Sequence, residues 1–222
     1  MTDEKKFNWK LKDILMIAIA GVLFSFLYLA TDYLGLAIST ALTPSGWGVI
    51  GYEPAYGIYF MAAAFAVYVI QKPGVGIVAE VIAATLEVLE GNWFGPSVIL
   101  TGLVQGAAIE LAFAIWRYKK FTWNQMVLAS FTVTFISYAY NLWSAQYYLL
   151  TPNVITVMVI IRLVSSLVFT TCVTKLLADG LAKAGVLNAY ALGQANAKKK
   201  AFEVEEDAGE EAENVLEVGK NK

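Results

Sequence analysis

Six long apolar blocks, divided by turn-forming residues, constrain this chain more than any other feature. They run over about residues 14–36, 55–70, 75–89, 97–116, 125–150 and 153–181. A helix that crosses a bilayer needs about 20 mostly apolar residues, and a spanning barrel needs alternating strands of about ten. No sustained alternation occurs, so the blocks predict membrane helices. The interruptions carry turn chemistry: Thr43-Pro44-Ser45-Gly46, Lys72-Pro73-Gly74, Gly91-Asn92 through Gly95-Pro96, and Thr151-Pro152-Asn153. Composition agrees, because 58% of the 222 residues are apolar and only 15% are charged. A soluble fold of this size could not bury so much apolar surface in one core. The expected fold is an all-α integral membrane bundle of six transmembrane helices.

Orientation follows from Lys and Arg in the connections. The N-terminal segment has Lys5, Lys6, Lys10 and Lys12, the second connection Lys72, and the fourth Arg117, Lys119 and Lys120. The C-terminal region adds Lys183 and Lys198 to Lys200, whereas the first, third and fifth connections have none. Both termini are therefore expected in the cytoplasm of a multi-pass cell-membrane protein. The first block is too long for a signal-peptide core and lacks a small-x-small cleavage site, so it reads as a retained helix. Residues 1–193 form the expected membrane domain. Residues 194–222, with the run Glu203-Val204-Glu205-Glu206-Asp207, form an expected charged and disordered cytoplasmic tail.

Several chemistries are excluded. With no His and the single Cys172, imidazole catalysis, His-containing metal sites, intrachain disulfides and Cys-cluster metal sites fall away. No cofactor and no nucleic acid is called for. The chain has no Gly-x-x-x-x-Gly-Lys-Ser/Thr motif, so ATP-driven transport would need another subunit.

Polar groups inside apolar blocks are expensive in a bilayer and therefore informative. Glu80, Glu87 and Glu90 on the third block are expected to project from one side, joined by Gln105 and Glu110 on the fourth. Thr134, Ser137, Asn141, Ser144 and Tyr148 make a polar stripe on the fifth, and Arg162 on the sixth is expected as a counter-charge to the acids. Trp47, Tyr52, Tyr56, Trp93, Trp143, Tyr147 and Tyr148 gather toward the outer loops. They form either an interfacial belt or stacking walls around a planar ligand, with Trp47 in a Pro-Ser-Gly-Trp-Gly loop suited to a lid. Gly102 and Gly106 predict close helix packing, with Glu110 on the same face. Gly21 and Ser25 lie on a first helix with almost no other internal polar group, so a smooth face for an external partner is expected there.

These residues fall into a recognisable series. Tyr52-Glu53-Pro54-x-Tyr56-Gly57-Ile58, Lys72-Pro73-Gly74, Glu80-x-Ile82-Ala83-Ala84-x-x-Glu87 and Gly91-Asn92-x-x-Gly95-Pro96 come first. Gly102-x-x-Gln105-Gly106-x-x-x-Glu110, Arg162-Leu163 and Gly185-Val186-Leu187-Asn188 follow in order. Together the series resembles the YkoE family, the substrate-binding S components of energy-coupling factor (ECF) transporters, from the first helix to about Gly193.

The resemblance implies a six-helix bundle that captures thiamine or its hydroxymethylpyrimidine precursor from outside. It also implies partnership with a transmembrane coupling protein and ATPase subunits, the first helix being the expected docking face. An aminopyrimidine suits Glu, Gln and Asn, and a thiazolium cation suits carboxylates and aromatic faces. On that basis the expected ligand partners are Glu80 and Glu87 as carboxylates, Gln105 and Asn141 as hydrogen-bonding groups, and Trp47, Tyr56 and Trp93 as stacking surfaces. Two other readings stay open: an S component for another small vitamin, and an intramembrane acid–base enzyme using Glu80, Glu87 or Glu110.

Overall fold

A computed structural model describes residues 8–202, and among these it is helical with no β-strand. The helices are α1 (Leu11–Leu42), α2 (Met61–Ile70), α3 (Val75–Glu90), α4 (Ser97–Ala114), α5 (Trp123–Ser144), α6 (Pro152–Ser166) and α7 (Thr174–Lys183). Residues 191–202 are helical as well. The remainder of the expected tail, 203–222, lies outside the described residues.

Each apolar block becomes helix, but two are built in pieces. The second, Gly48–Ile70, enters through 3₁₀ turns at Gly48–Ile50 and Glu53–Phe60 and becomes α-helical only at Met61. Pro54 supplies no N–H and fixes its own φ, so this stretch cannot begin as a regular α-helix interior. Its backbone is completed from the last span instead. Gly57 N–H donates to Ser165 Oγ (2.9 Å), and Thr170 Oγ1 donates to the Gly57 carbonyl (2.9 Å). The approach is close enough that a Cβ on Gly57 would sit 2.3 Å from the Ser165 carbonyl oxygen.

The sixth block is α6, a seven-residue π-helical segment (Leu167–Val173), and α7. The wide turn turns two consecutive threonines inward to different neighbours. Thr170 meets Gly57, while Thr171 donates to the Met126 carbonyl of α5 (2.9 Å) and meets the Ser130 hydroxyl (2.7 Å).

Five segments are long and apolar enough to cross a membrane: Leu11–Ser45, Gly48–Ile70, Ser97–Ala114, Trp123–Ser144 and Pro152–Lys183. The remaining helix, α3, has 16 residues, about 24 Å at 1.5 Å per residue. It is packed against α1, α2 and α4. Every residue of α2 is buried, including Ala62, Ala63, Ala64 and Ala66, so the second span is the axis around which the others pack. Gly102 and Gly106 let α4 lie directly on α3, as expected from their spacing: a Cβ on Gly106 would sit 2.7 Å from Ile77 Cα.

The expectation that Gly21 and Ser25 form an outward face of α1 is overturned. Gly21 is covered by α3, with Ile82 Cγ2 only 2.5 Å from where a Cβ would stand. Ser25 donates to Glu90 Oε1 (2.6 Å). The same inner face carries Tyr28, Thr31 and Asp32, all buried, while Leu15, Ile19, Leu23 and Phe26 face outward. The Gly21–Ser25 face is thus an internal packing surface, and the exposed side of α1 is aliphatic and aromatic.

At one end of the bundle the start of α1, the α2–α3 turn and the C-terminal region are tied together. Lys72 Nζ pairs with Asp13 Oδ2 (2.6 Å), Trp9 donates to the Pro73 carbonyl (3.1 Å), and Tyr190 donates to the Lys12 carbonyl (3.0 Å). The connections without Lys or Arg all lie at the opposite end, where the bundle opens.

Candidate binding site

The opening is a cavity of about 350 Å³, lined from α1, α3, α4, α5 and the 3₁₀ stretch before α2. Its depth is set by α2 starting within the bundle. The first N–H groups of a helix have no partner inside it. Here Ala63 N–H donates to Glu80 Oε2 (2.9 Å), and Ala62 N–H donates to the Tyr28 hydroxyl (3.0 Å). Tyr28 in turn donates to Glu80 Oε1 (3.0 Å). Glu80 therefore caps α2 from across the bundle while lining the cavity.

One wall is an aromatic stack with a cation behind it. Arg162, fully buried, donates from Nε and Nη2 to the two Glu53 oxygens at 2.6 Å each. Its guanidinium carbon lies 3.5 Å from the centre of the Tyr56 ring and 4.8 Å from that of Tyr138. Asn141 Nδ2 donates to the Tyr56 hydroxyl (2.8 Å). Both Tyr56 and Asn141 line the cavity, and Tyr59 meets Tyr56 edge-on with centroids 5.3 Å apart.

The opposite wall is acidic. Glu87 on α3 and Asp32 on α1 are buried and both line the cavity. Asn92 Nδ2 donates to Glu87 Oε1 (3.0 Å), the Tyr59 hydroxyl donates to Asp32 Oδ1 (2.6 Å), and the two carboxyls contact each other. No Lys or Arg is among the described lining residues.

Five of the seven expected ligand partners, Glu80, Glu87, Gln105, Asn141 and Tyr56, thus converge on one cavity. Trp47 and Trp93 do not line it. Trp47 sits in the connection that follows α1, 40% exposed. The Asn92–Gly95 turn, held by Gly95 N–H donating to Asn92 Oδ1 (2.9 Å), sends Trp93 outward onto Tyr33 and puts Phe94 into the cavity instead.

Two acids also leave the expected group. Glu90 turns to Ser25 of α1. Glu110 lies at the far end of the bundle, where it accepts Gly76 N–H (2.7 Å) and the Tyr118 hydroxyl and so caps α3. Arg162 is a counter-charge as expected, but for Glu53 rather than for the cavity acids. Asp32 was the main residue missed. The signal was present: Gly21, Ser25, Tyr28 and Asp32 recur at helical spacing, a polar inner stripe in an otherwise apolar block.

This architecture has a solved counterpart. A crystal structure of an S component of an ECF transporter matches with a TM-score of 0.85 at 35% identity, over 90% of this chain and 98% of that one. The "Putative HMP/thiamine permease protein YkoE" of Bacillus subtilis (strain 168) is 36% identical over 193 residues, 87% of this chain and 94% of its own length. The chain belongs to this family of ECF-transporter S components. Residues 12–137 also match the family described as "ABC-type cobalt transport system, permease component". An S component is a multi-pass membrane subunit of a transporter and not an enzyme. Its substrate and the ECF module are its partners, and the reading of Glu80, Glu87 or Glu110 as an intramembrane acid–base catalyst falls away.

Proposed function

We propose that this S component captures thiamine or its hydroxymethylpyrimidine precursor from outside the cell and delivers it to a coupling protein and ATPase subunits for release inward. The observation that carries this reading is the pairing, in one cavity, of buried carboxyls with amide side chains and tyrosine rings. Gln105, Asn141 and the carboxyls offer donors and acceptors to a planar aminopyrimidine. Glu80 and Glu87 offer negative charge to a thiazolium, and Tyr56 offers a face for stacking, its ring held by Arg162 and Asn141. The volume of about 350 Å³ is at the small end of ligand pockets. The name of the Bacillus subtilis relative supports the same substrates.

In this reading the chain crosses the membrane six times with both termini in the cytoplasm. The support is that the cavity opens among the connections that lack Lys and Arg, the end that faces outward under the positive-inside rule. Titration of the detergent-purified protein with thiamine and with hydroxymethylpyrimidine, followed by intrinsic fluorescence or calorimetry, tests the substrate. Saturable binding of either supports the reading, and binding of neither, by a protein that unfolds cooperatively on heating, removes it. For the topology, Ser45→Cys in a Cys172→Ser background should react with an impermeant maleimide from outside. Labelling only after lysis would invert the assignment.

A further inference from the structure

The Asp32–Glu87 contact has an unmet requirement. A hydrogen bond needs a donor, and two carboxylates own none. Asp32 is fully buried and takes one donor, the Tyr59 hydroxyl, on Oδ1. Oδ2 is buried with no protein N–H or O–H on it among the described residues. The carboxyl's other partner is the Glu87 carboxyl, itself buried and given one amide donor by Asn92.

Among the described residues, the cavity lining supplies no positive charge. From α3 the pair faces Glu80 and Glu90, from α1 Tyr28, from the segment before α2 Tyr52, Tyr56 and Tyr59, and across the cavity Tyr140 and Tyr147. Arg162, behind the Tyr56 ring, is held bidentately by Glu53. Like charges in contact, buried and without a cation, cannot both persist.

We infer that Asp32 and Glu87 hold one proton between them before a ligand arrives and release it when a cationic ligand enters, so that capture exchanges a proton for the positive charge of the ligand. This rests on the thiamine reading above and assigns Asp32 to the site beside Glu87. The Asp32–H–Glu87 bridge is lost, the proton passes to solvent through the open cavity, and two carboxylates remain opposite one organic cation. Because the bound state holds one proton fewer, thiamine affinity rises with pH, by up to about tenfold per pH unit while the pair stays protonated.

Calorimetry of the intact S component, in buffers of differing ionisation enthalpy at one near-neutral pH, reads the exchange directly. Thiamine should release close to one proton per molecule bound, and neutral hydroxymethylpyrimidine close to none. Asp32→Asn and, as a second variant, Glu87→Gln should each abolish the release and flatten the pH dependence of thiamine binding. Thiamine heat with no proton released by the wild type would overturn the exchange while leaving the substrate reading intact. Release that persists in both variants would move the proton to another group and overturn the assignment. No heat with either ligand would remove the substrate reading, and this inference with it.

Discussion

The two ends of α3 each meet a buried glutamate, and the two are treated in opposite ways. At the N-terminal end, Glu110 accepts the Gly76 N–H and the Tyr118 hydroxyl, and the positive end of the helix dipole faces it. At the C-terminal end, Glu87 lies in the last turn, where the dipole is negative, with another carboxyl against it and one amide donor. Neighbours favour the charge of the first and oppose that of the second. A buried charge is tolerated when its hydrogen bonds are complete, and it is costly otherwise. The difference separates an acid whose work is finished within the fold from one whose complement is brought by a ligand.

The largest expected effect comes from turning a matched acid into an unmatched one. Arg162→Met leaves Glu53 buried without its cation, which costs about 3–5 kcal/mol. Thermal unfolding in detergent should fall steeply, and adding Glu53→Gln should recover much of the loss. If Arg162→Met unfolds like the wild type, buried charge is not what organises this bundle.

Next is Glu87→Gln, which keeps shape but removes charge. A hydrogen bond to a charged group is worth about 1.5–3 kcal/mol, so thiamine affinity should fall by roughly ten- to a hundredfold. Hydroxymethylpyrimidine should lose less, and the melting temperature should hold or rise. Equal losses for the two ligands would mean that Glu87 reads the pyrimidine.

Glu110→Ala should do the reverse. It leaves the first N–H groups of α3 without an acceptor, at about 1–3 kcal/mol of stability, with dissociation constants unchanged. Weakened binding without destabilisation would erase the contrast between the two ends. The smallest effect is expected for Trp47→Ala: within about 0.5 kcal/mol in stability, as for exposed positions generally, and less than about twofold in affinity for either ligand.

Much of the site was legible because membrane burial makes polar residues conspicuous. Glu80 and Glu87, seven apart, differ in direction by only about 20° at 100° per residue, so both reach the cavity. Glu90 is about 80° from Glu80 and about 60° from Glu87 by the same arithmetic, and it turns to α1. Asp32 was passed over because one acid in a long apolar block was averaged into it. Glu53 was quoted within a motif, but its partnership with Arg162 spans 109 residues, a distance no local pattern reports. Trp47 and Trp93 were overread because a bilayer interface and a ligand wall draw on the same aromatic residues.

The π-helical segment Leu167–Val173 puts the two halves of the last span out of phase. One additional residue in a helix rotates everything after it by about 100°. Arg162 reaches Glu53 on one side of that offset. Lys175 reaches the Tyr68 and Trp123 rings on the other, at 5.0 and 4.8 Å. Residue count therefore carries information here that side-chain identity does not. Substitutions within 167–173 that keep Thr170 and Thr171 should leave both clients served, whereas removing any one residue should swing Lys175 off its aromatic seat while Arg162 stays in place.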